Sequence, residues 1–167
     1  MNALTYVPEG LDEILDYYGV PGRMIGQKFK ADQKWKAENL AYYGLPFPLY
    51  RSWDQIEIKG FTIHKKVGAA MIDALEEIWD IYGLGRMQHH HLDQWGGCYN
   101  PRKKRRSKEL STHAWAISLD FLPDLGPLGE PPRLPWHVVH AFTKRGFIWG
   151  GEWRQPDGMH FQACKGY

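Results

Sequence analysis

Within Trp115-Ala116-Ile117-Ser118-Leu119-Asp120-Phe121, large apolar residues alternate with small or polar ones. A period of two marks a β-strand with one face in a core. Trp115, Ile117, Leu119 and Phe121 make up the core face, and Asp120 stands on the other face above Ala116 and Ser118. A carboxylate over small side chains leaves room for a metal ion and a substrate. His113 lies seven residues before Asp120, an odd spacing that would send the two to opposite faces of one straight strand. In a helix they would stand about 10 Å apart along the axis, too far to share an ion at roughly 2 Å per ligand bond. They can meet only if His113 lies in the approach to the strand and Asp120 within it. Spacing alone equally allows a surface histidine and a capping or paired aspartate.

A second segment runs Gly146-Phe147-Ile148-Trp149-Gly150-Gly151-Glu152-Trp153-Arg154-Gln155-Pro156-Asp157-Gly158-Met159-His160-Phe161-Gln162. Pro156-Asp157-Gly158 is a turn by composition. Beyond it, His160, Gln162 and Cys164 share one strand face. A carboxylate three residues before a histidine, across a turn, can stand beside the same metal without ligating it, where a general base belongs. Two neutral imidazoles and one carboxylate would leave Zn²⁺ with one net positive charge and an open fourth position. Other divalent ions accept the same donors.

The clearest helix spans about 65–82, with Val67, Met71, Ala74, Leu75, Ile78 and Tyr82 on one stripe and Gly83 as its stop. Shorter helices are expected at 11–18, 31–43 and 135–144. Strands are expected at 55–59 (Ile56 and Ile58 on one face), 86–91, 115–121, 146–149 and 160–164. Helices thus lead and most strands follow, which predicts an α+β fold with a small, mainly antiparallel sheet flanked by helices. The proline-rich stretch 122–135 reads as an ordered surface loop joining strand to helix. No repeat or linker divides the chain, so residues 1–167 are expected to form one domain.

A net charge of +2 argues against a nucleic-acid partner, and no apolar run approaches the roughly 18 to 20 residues of a membrane span. The amino terminus has no basic and apolar leader, so synthesis in the cytoplasm without a signal peptide is expected. Two cysteines, Cys98 and Cys164, make neither a disulfide framework nor a thiolate zinc site, and are expected as reduced, partly buried thiols, with a single bridge between them the alternative that sequence separation leaves open.

Ser111, His113 and Asp120, followed by Asp157 and His160, resemble the signature of the M15 family of zinc peptidases, which includes D-alanyl-D-alanine carboxypeptidases and phage endolysins. That signature reads S-x-H-x-x-G-x-A-x-D, then (D/E)-x-x-H. The surrounding Gly96-Gly97-Cys98-Tyr99-Asn100-Pro101-Arg102 and Gly146-Phe147-Ile148-Trp149-Gly150-Gly151 are similar to the family's phage subgroup in order and spacing. The resemblance implies a hedgehog/DD-peptidase-like fold, Zn²⁺ held by His113, Asp120 and His160, and Asp157 as the base. It also implies that Arg102 stabilises the oxyanion, with Arg105 or Arg106 as fallbacks. Ala116 and Ser118 stand where the family usually has Gly and Ala, and Gln162 where Glu is common. The implied activity is hydrolysis of an amide in the peptidoglycan stem peptide. It would be either endopeptidase cleavage between L-Ala and D-Glu, which small size and the missing leader favour, or carboxypeptidase cleavage at D-Ala-D-Ala. The chain would act as a monomer at the bacterial cell wall after release. The alternative is a non-catalytic wall-binding or phage structural module that keeps the zinc as a staple. Retention of Asp157 opposes it, since a structural site needs no base.

Other histidines are set aside. Strand alternation would separate His90 from His89 and His91, and His137 with His140 lacks a third ligand. The basic run opened by Arg102 reads first as a solvated loop. Trp153 is a candidate for the cleft and Trp149 for the core.

Overall fold

The computed structural model describes residues 1–26, 28–104 and 107–167. Helices α1 (Gly10–Tyr18), α2 (Gln33–Asn39), α3 (Lys65–His89) and α4 (Trp136–Thr143) accompany two sheets. A hairpin of β1 (Gly22–Ile25) and β2 (Lys28–Ala31) stands apart. The main sheet contains β3 (Leu40–Arg51), β4 (Glu57–His64), β5 (Gln94–Gly97), β6 (Ser118–Phe121), β7 (Ile148–Trp149) and β8 (His160–Gln162) in the order β4-β3-β5-β6-β8-β7. Every pairing is antiparallel except β3 with β5. The fold is therefore α+β with a mainly antiparallel sheet, as the patterning predicts, and is consistent with the M15-type fold.

α3 follows its apolar stripe closely: Val67, Met71, Ala74, Leu75 and Ile78 are all fully buried. At Gly83 the backbone leaves helical geometry (φ 63°, ψ 170°), and a further turn then continues to His89. That extra turn overturns the strand expected at 86–91: its first residues are helical and β5 begins only at Gln94. The expected order also fails, because β1 to β4 all precede α3. Residues 31–43 divide into the short α2, capped by the Asp32 carboxylate accepting from the Trp35 amide, and the start of β3. Pro46 and Pro48 disguise β3 as a loop. Its pairing with β4 jumps from Gly44↔Gly60 to Leu49↔Ile58, so both prolines lie in a bulge that asks no ladder hydrogen bond of them. The strand expected at 55–59 begins only at Glu57 and runs on to His64, so Ile56 lies exposed before it while Ile58 packs against the core and Phe61 and Ile63 are buried.

β6 and β8 organise the functional half. They pair Ser118↔Gln162, Leu119↔Phe161 and Asp120↔His160. Leu119, Phe121 and Phe161 face the core, where Phe161 stacks on Phe142 of α4 at 4.3 Å between ring centroids. Ser118, Asp120, His160 and Gln162 share the opposite face. Arg145, just past α4, is buried and donates to Glu77 (2.7 Å), to Asp73 (3.2 Å) and to the Ala141 carbonyl (2.6 Å), tying α4 to α3. Among the described residues no helix is long and apolar enough to cross a membrane.

His64 caps α3, its Nδ1 accepting from the Lys66 amide at 3.1 Å. Burial pushes its pKa down to about 4, with the Lys65 and Lys66 charges adding to the effect and the Tyr18 carbonyl opposing it. A folded pKa below the unfolded value of 6.5 means that the unfolded chain takes up the proton first. Stability should therefore fall as pH drops from 6.5 to 4, by on the order of 3 kcal/mol from this residue. Urea denaturation across that range checks it. His64→Asn, which keeps a capping oxygen, should flatten the slope. An unchanged slope would remove His64 as its source.

Candidate metal centre

The approach to β6 is a single 3₁₀ turn, Thr112–Trp115, capped by Ser111, whose hydroxyl accepts from the His113 amide. Ala116 then takes a left-handed conformation (φ 56°, ψ 37°) that re-aims the chain into the strand. Glycine adopts that geometry without a Cβ clash, which explains a preference for Gly there. The turn brings His113 back over the strand, so that its Nε2 lies 3.2 Å from Asp120 Oδ1. From the paired strand, His160 Nδ1 reaches the same oxygen at 2.9 Å. One donor atom from each of the three residues fits within a 4.8 Å span, and His113 and His160 are buried.

Glycines admit the two carboxylates. A Cβ on Gly96 of β5 would stand 2.9 Å from Asp120 Cβ, and one on Gly150 would stand 2.6 Å from the Asp157 carbonyl oxygen. Asp157 sits in the turn before β8, its amide donating to Gly150 O (2.9 Å) and its carbonyl accepting from the His160 amide (3.0 Å). The 122–135 loop braces this turn from outside: Gly126 O accepts from the Met159 amide and Pro156 O from the Gly129 amide.

The histidine rings are oriented by their remaining nitrogens. His113 Nδ1 donates to the Cys98 carbonyl at 2.7 Å, which orients the ring with Nε2 toward Asp120 and the site. The electrostatics favour positive charge there. Burial works to raise the Asp120 pKa, but hydrogen bonds and charge from His113 and His160 outweigh it and hold the carboxyl well below its usual range. Burial likewise works to lower the His160 pKa, and Asp120, the Asp157 charge and Gln162 reverse the shift upward. Two buried imidazole nitrogens aimed at one carboxylate oxygen suit a cation held between them.

A cavity of about 320 Å³ opens over these residues, also lined by Arg102, Lys104, Asp157, Trp153 and Tyr167. A sequence model of D-alanyl-D-alanine carboxypeptidase, of the M15 peptidases, matches residues 104–163. That match supports an M15 family peptidase. It covers His113, Asp120, Asp157 and His160, while Arg102 lies two residues before it. Comparison with curated proteins and with solved structures returned no match.

The cavity gathers all five residues singled out in the sequence: His113, Asp120 and His160 converge, and Asp157 and Arg102 line the walls. Arg102 is partly buried, with Nη1 donating to the Lys103 carbonyl at 3.3 Å. Arg105 and Arg106 lie outside the described residues. His89, His90 and His91 are exposed at the end of α3, and His140 stacks on Trp136 at 4.4 Å; none joins the cluster. Cys98 and Cys164 are buried free thiols, and burial pushes the Cys164 pKa up to about 12. Trp153 lies 5.4 Å from the His160 ring, while Trp149 donates to the Gly158 carbonyl at 2.7 Å. Sequence reasoning missed Lys104, which pairs with Glu109 at 2.9 Å and lies 3.6 Å over the Tyr167 ring. It also missed the hydroxyls of Thr112, 3.5 Å from His160 Nε2, and of Ser118, which donates to Thr112. Their place beside His113 and on the Asp120 face was the available signal.

Proposed function

We propose that this chain is a zinc-dependent peptidase that hydrolyses an amide bond in the stem peptides of bacterial peptidoglycan. The observation that carries the reading is the convergence of His113 Nε2, Asp120 Oδ1 and His160 Nδ1 at the floor of a cavity that Asp157 also lines. Zinc held by those donors supplies Lewis-acid chemistry, polarising a carbonyl and lowering the pKa of water. Asp157 takes the proton of the attacking water and returns one to the departing amine as the C–N bond breaks. Arg102 donates to the carbonyl oxygen as it gains negative charge, a task suited to a guanidinium that stays ionised. Arg102 and Lys104 also make one wall cationic, which suits a substrate carrying carboxylates. The reading takes residues 1–167 as one peptidase domain acting as a monomer at the cell wall. Its bond is either L-Ala–D-Glu or D-Ala–D-Ala.

Purified peptidoglycan digested with the protein and analysed by mass spectrometry tests this. Soluble fragments with new amino groups, or free D-Ala, are expected, and their masses name the bond. Stripping metal with a chelator should stop release and added Zn²⁺ should restore it. Release that persists without metal would sink the zinc mechanism. A zinc-loaded protein that cuts no wall peptide would sink the substrate.

A further inference from the structure

The cationic wall of the cavity is built on a short ribbon. Residues 102–104 run antiparallel to 109–111: Lys103 bridges Leu110, the Lys104 amide donates to Glu109 O at 2.9 Å and the Ser111 amide to Arg102 O at 2.9 Å. Side chains alternate along such a ribbon, so Arg102 and Lys104 share one face, with Ser111 and Glu109 opposite them on the same face. Arg102, Lys104 and Ser111 all line the cavity over His113, Asp120 and His160. At roughly 3.3 Å per residue, the two cationic residues stand about 7 Å apart along the wall.

The Lys104 ammonium lies 3.6 Å over the Tyr167 ring. Tyr167 is itself fixed by its hydroxyl donating to Leu110 O at 2.9 Å and by an edge contact with Trp115. Glu109 accepts one ammonium proton at 2.9 Å. Its side chain is 56% exposed against 30% for Lys104, so water screens the pair and leaves it weak. An ammonium carries three donors, and Glu109 leaves capacity for a second acceptor arriving in the cavity.

We infer that Lys104, steadied by the Tyr167 ring and Glu109, is a specificity-determining residue that binds a free carboxylate on the amine-side residue of the scissile amide. The inference rests on the peptidase reading, in which Arg102 meets the carbonyl oxygen. The next residue of an extended substrate lies about 3.5 Å further on, which brings its carboxylate within reach of the flexible Lys104 stem. In both candidate bonds the acyl residue is an alanine whose carboxyl is spent in the amide, so the nearby carboxylate belongs to the amine side. It is the terminal carboxylate of D-Ala in one case and the α-carboxylate of a γ-linked D-Glu in the other. Interior bonds of ordinary α-linked peptides lack it, because there the amine-side α-carboxyl is itself an amide. Such peptides would leave the ammonium without its anion, and the subsite thereby selects against them.

Equilibrium binding to zinc-loaded Asp157→Asn, which should hold its ligand without cutting it, reads the subsite apart from catalysis. The probes are the stem peptide L-Ala–γ-D-Glu–L-Lys–D-Ala–D-Ala and its two forms amidated at the D-Glu α-carboxyl or at the terminal D-Ala. Amidating one of these carboxylates should weaken binding about 10- to 100-fold. Adding Lys104→Met, which keeps the apolar stem, should shrink that preference to about threefold or less. The preference is a ratio within one protein, so a smaller folded fraction does not move it. Indifference to both carboxylates overturns the inference, as does a preference that survives Lys104→Met. Cleavage of the same peptides by the wild type runs alongside. A Lys104-dependent preference without cleavage would leave the subsite standing and refute the peptidase reading, and cleavage indifferent to both carboxylates would do the reverse.

Discussion

Asp157→Asn should lower the rate of amine release from peptidoglycan by about 10²- to 10⁴-fold while bound zinc stays near the wild-type level. Asparagine preserves the volume and polarity of the side chain but cannot take up a proton. Asp157 lines the cavity and raises the His160 pKa through its charge, so it lies close enough to influence the floor. Its backbone is held between Gly150, the His160 amide and the braced turn, so the amide variant has little freedom to rearrange. Initial rates on purified walls, taken with metal content for both proteins, separate the outcomes. Equal loss of rate and metal would make Asp157 a contributor to the centre itself. An unchanged rate would remove it as the base and leave the proton to another group.

The second large effect concerns stability. Arg145→Ala should destabilise the fold by about 3 kcal/mol, lowering Tm by roughly 6 to 12 °C in a chain of this size. The guanidinium side chain is only 4% exposed and meets two carboxylates, Asp73 and Glu77, whose side chains are 18% and 23% exposed. Its removal leaves like charges facing each other and strips the Ala141 carbonyl of a donor. The loss should fall at the low end of what breaking a buried pair costs. Both acids keep some contact with water, and Lys144 still pairs with Glu77 at 2.6 Å. Burial works to raise the pKa of Asp73, yet hydrogen bonds from the Asn2 amide and Arg145 hold it below its usual value. Thermal unfolding at neutral pH measures the effect, and a shift under 2 °C would show the cluster to be ornamental.

Much of the site was legible because strand alternation is written into consecutive residues. Period two over 118–121 and the face shared by His160 and Gln162 needed no knowledge of the rest of the chain and stand as patterned, but the strand expected from Trp115 begins only at Ser118, because Trp115 ends a 3₁₀ turn and Ala116 is left-handed. The odd spacing of His113 and Asp120 likewise required a reversal between them, which the 3₁₀ turn and the left-handed Ala116 provide. The helices at α1, α3 and α4 were legible for the same local reason. β3 was not, because Pro46 and Pro48 read as breakers. Only its register with β4 reveals a bulge in which a missing N–H does no harm. Arg145 was also unreadable, since its partners Asp73 and Glu77 lie about 70 residues earlier and a lone arginine reads as surface.

Consecutive residues therefore state which side chains face the candidate metal centre, because facing depends on φ and ψ along one strand. They do not state which nitrogen each histidine presents. That choice belongs to groups arriving from elsewhere: the Cys98 carbonyl faces Nδ1 of His113, while His160 lies between Asp120 on Nδ1 and the Gln162 amide on Nε2. Hydrogen-bond polarity in a buried site is settled by whichever donors and acceptors packing brings within about 3 Å, and packing is a property of the whole fold.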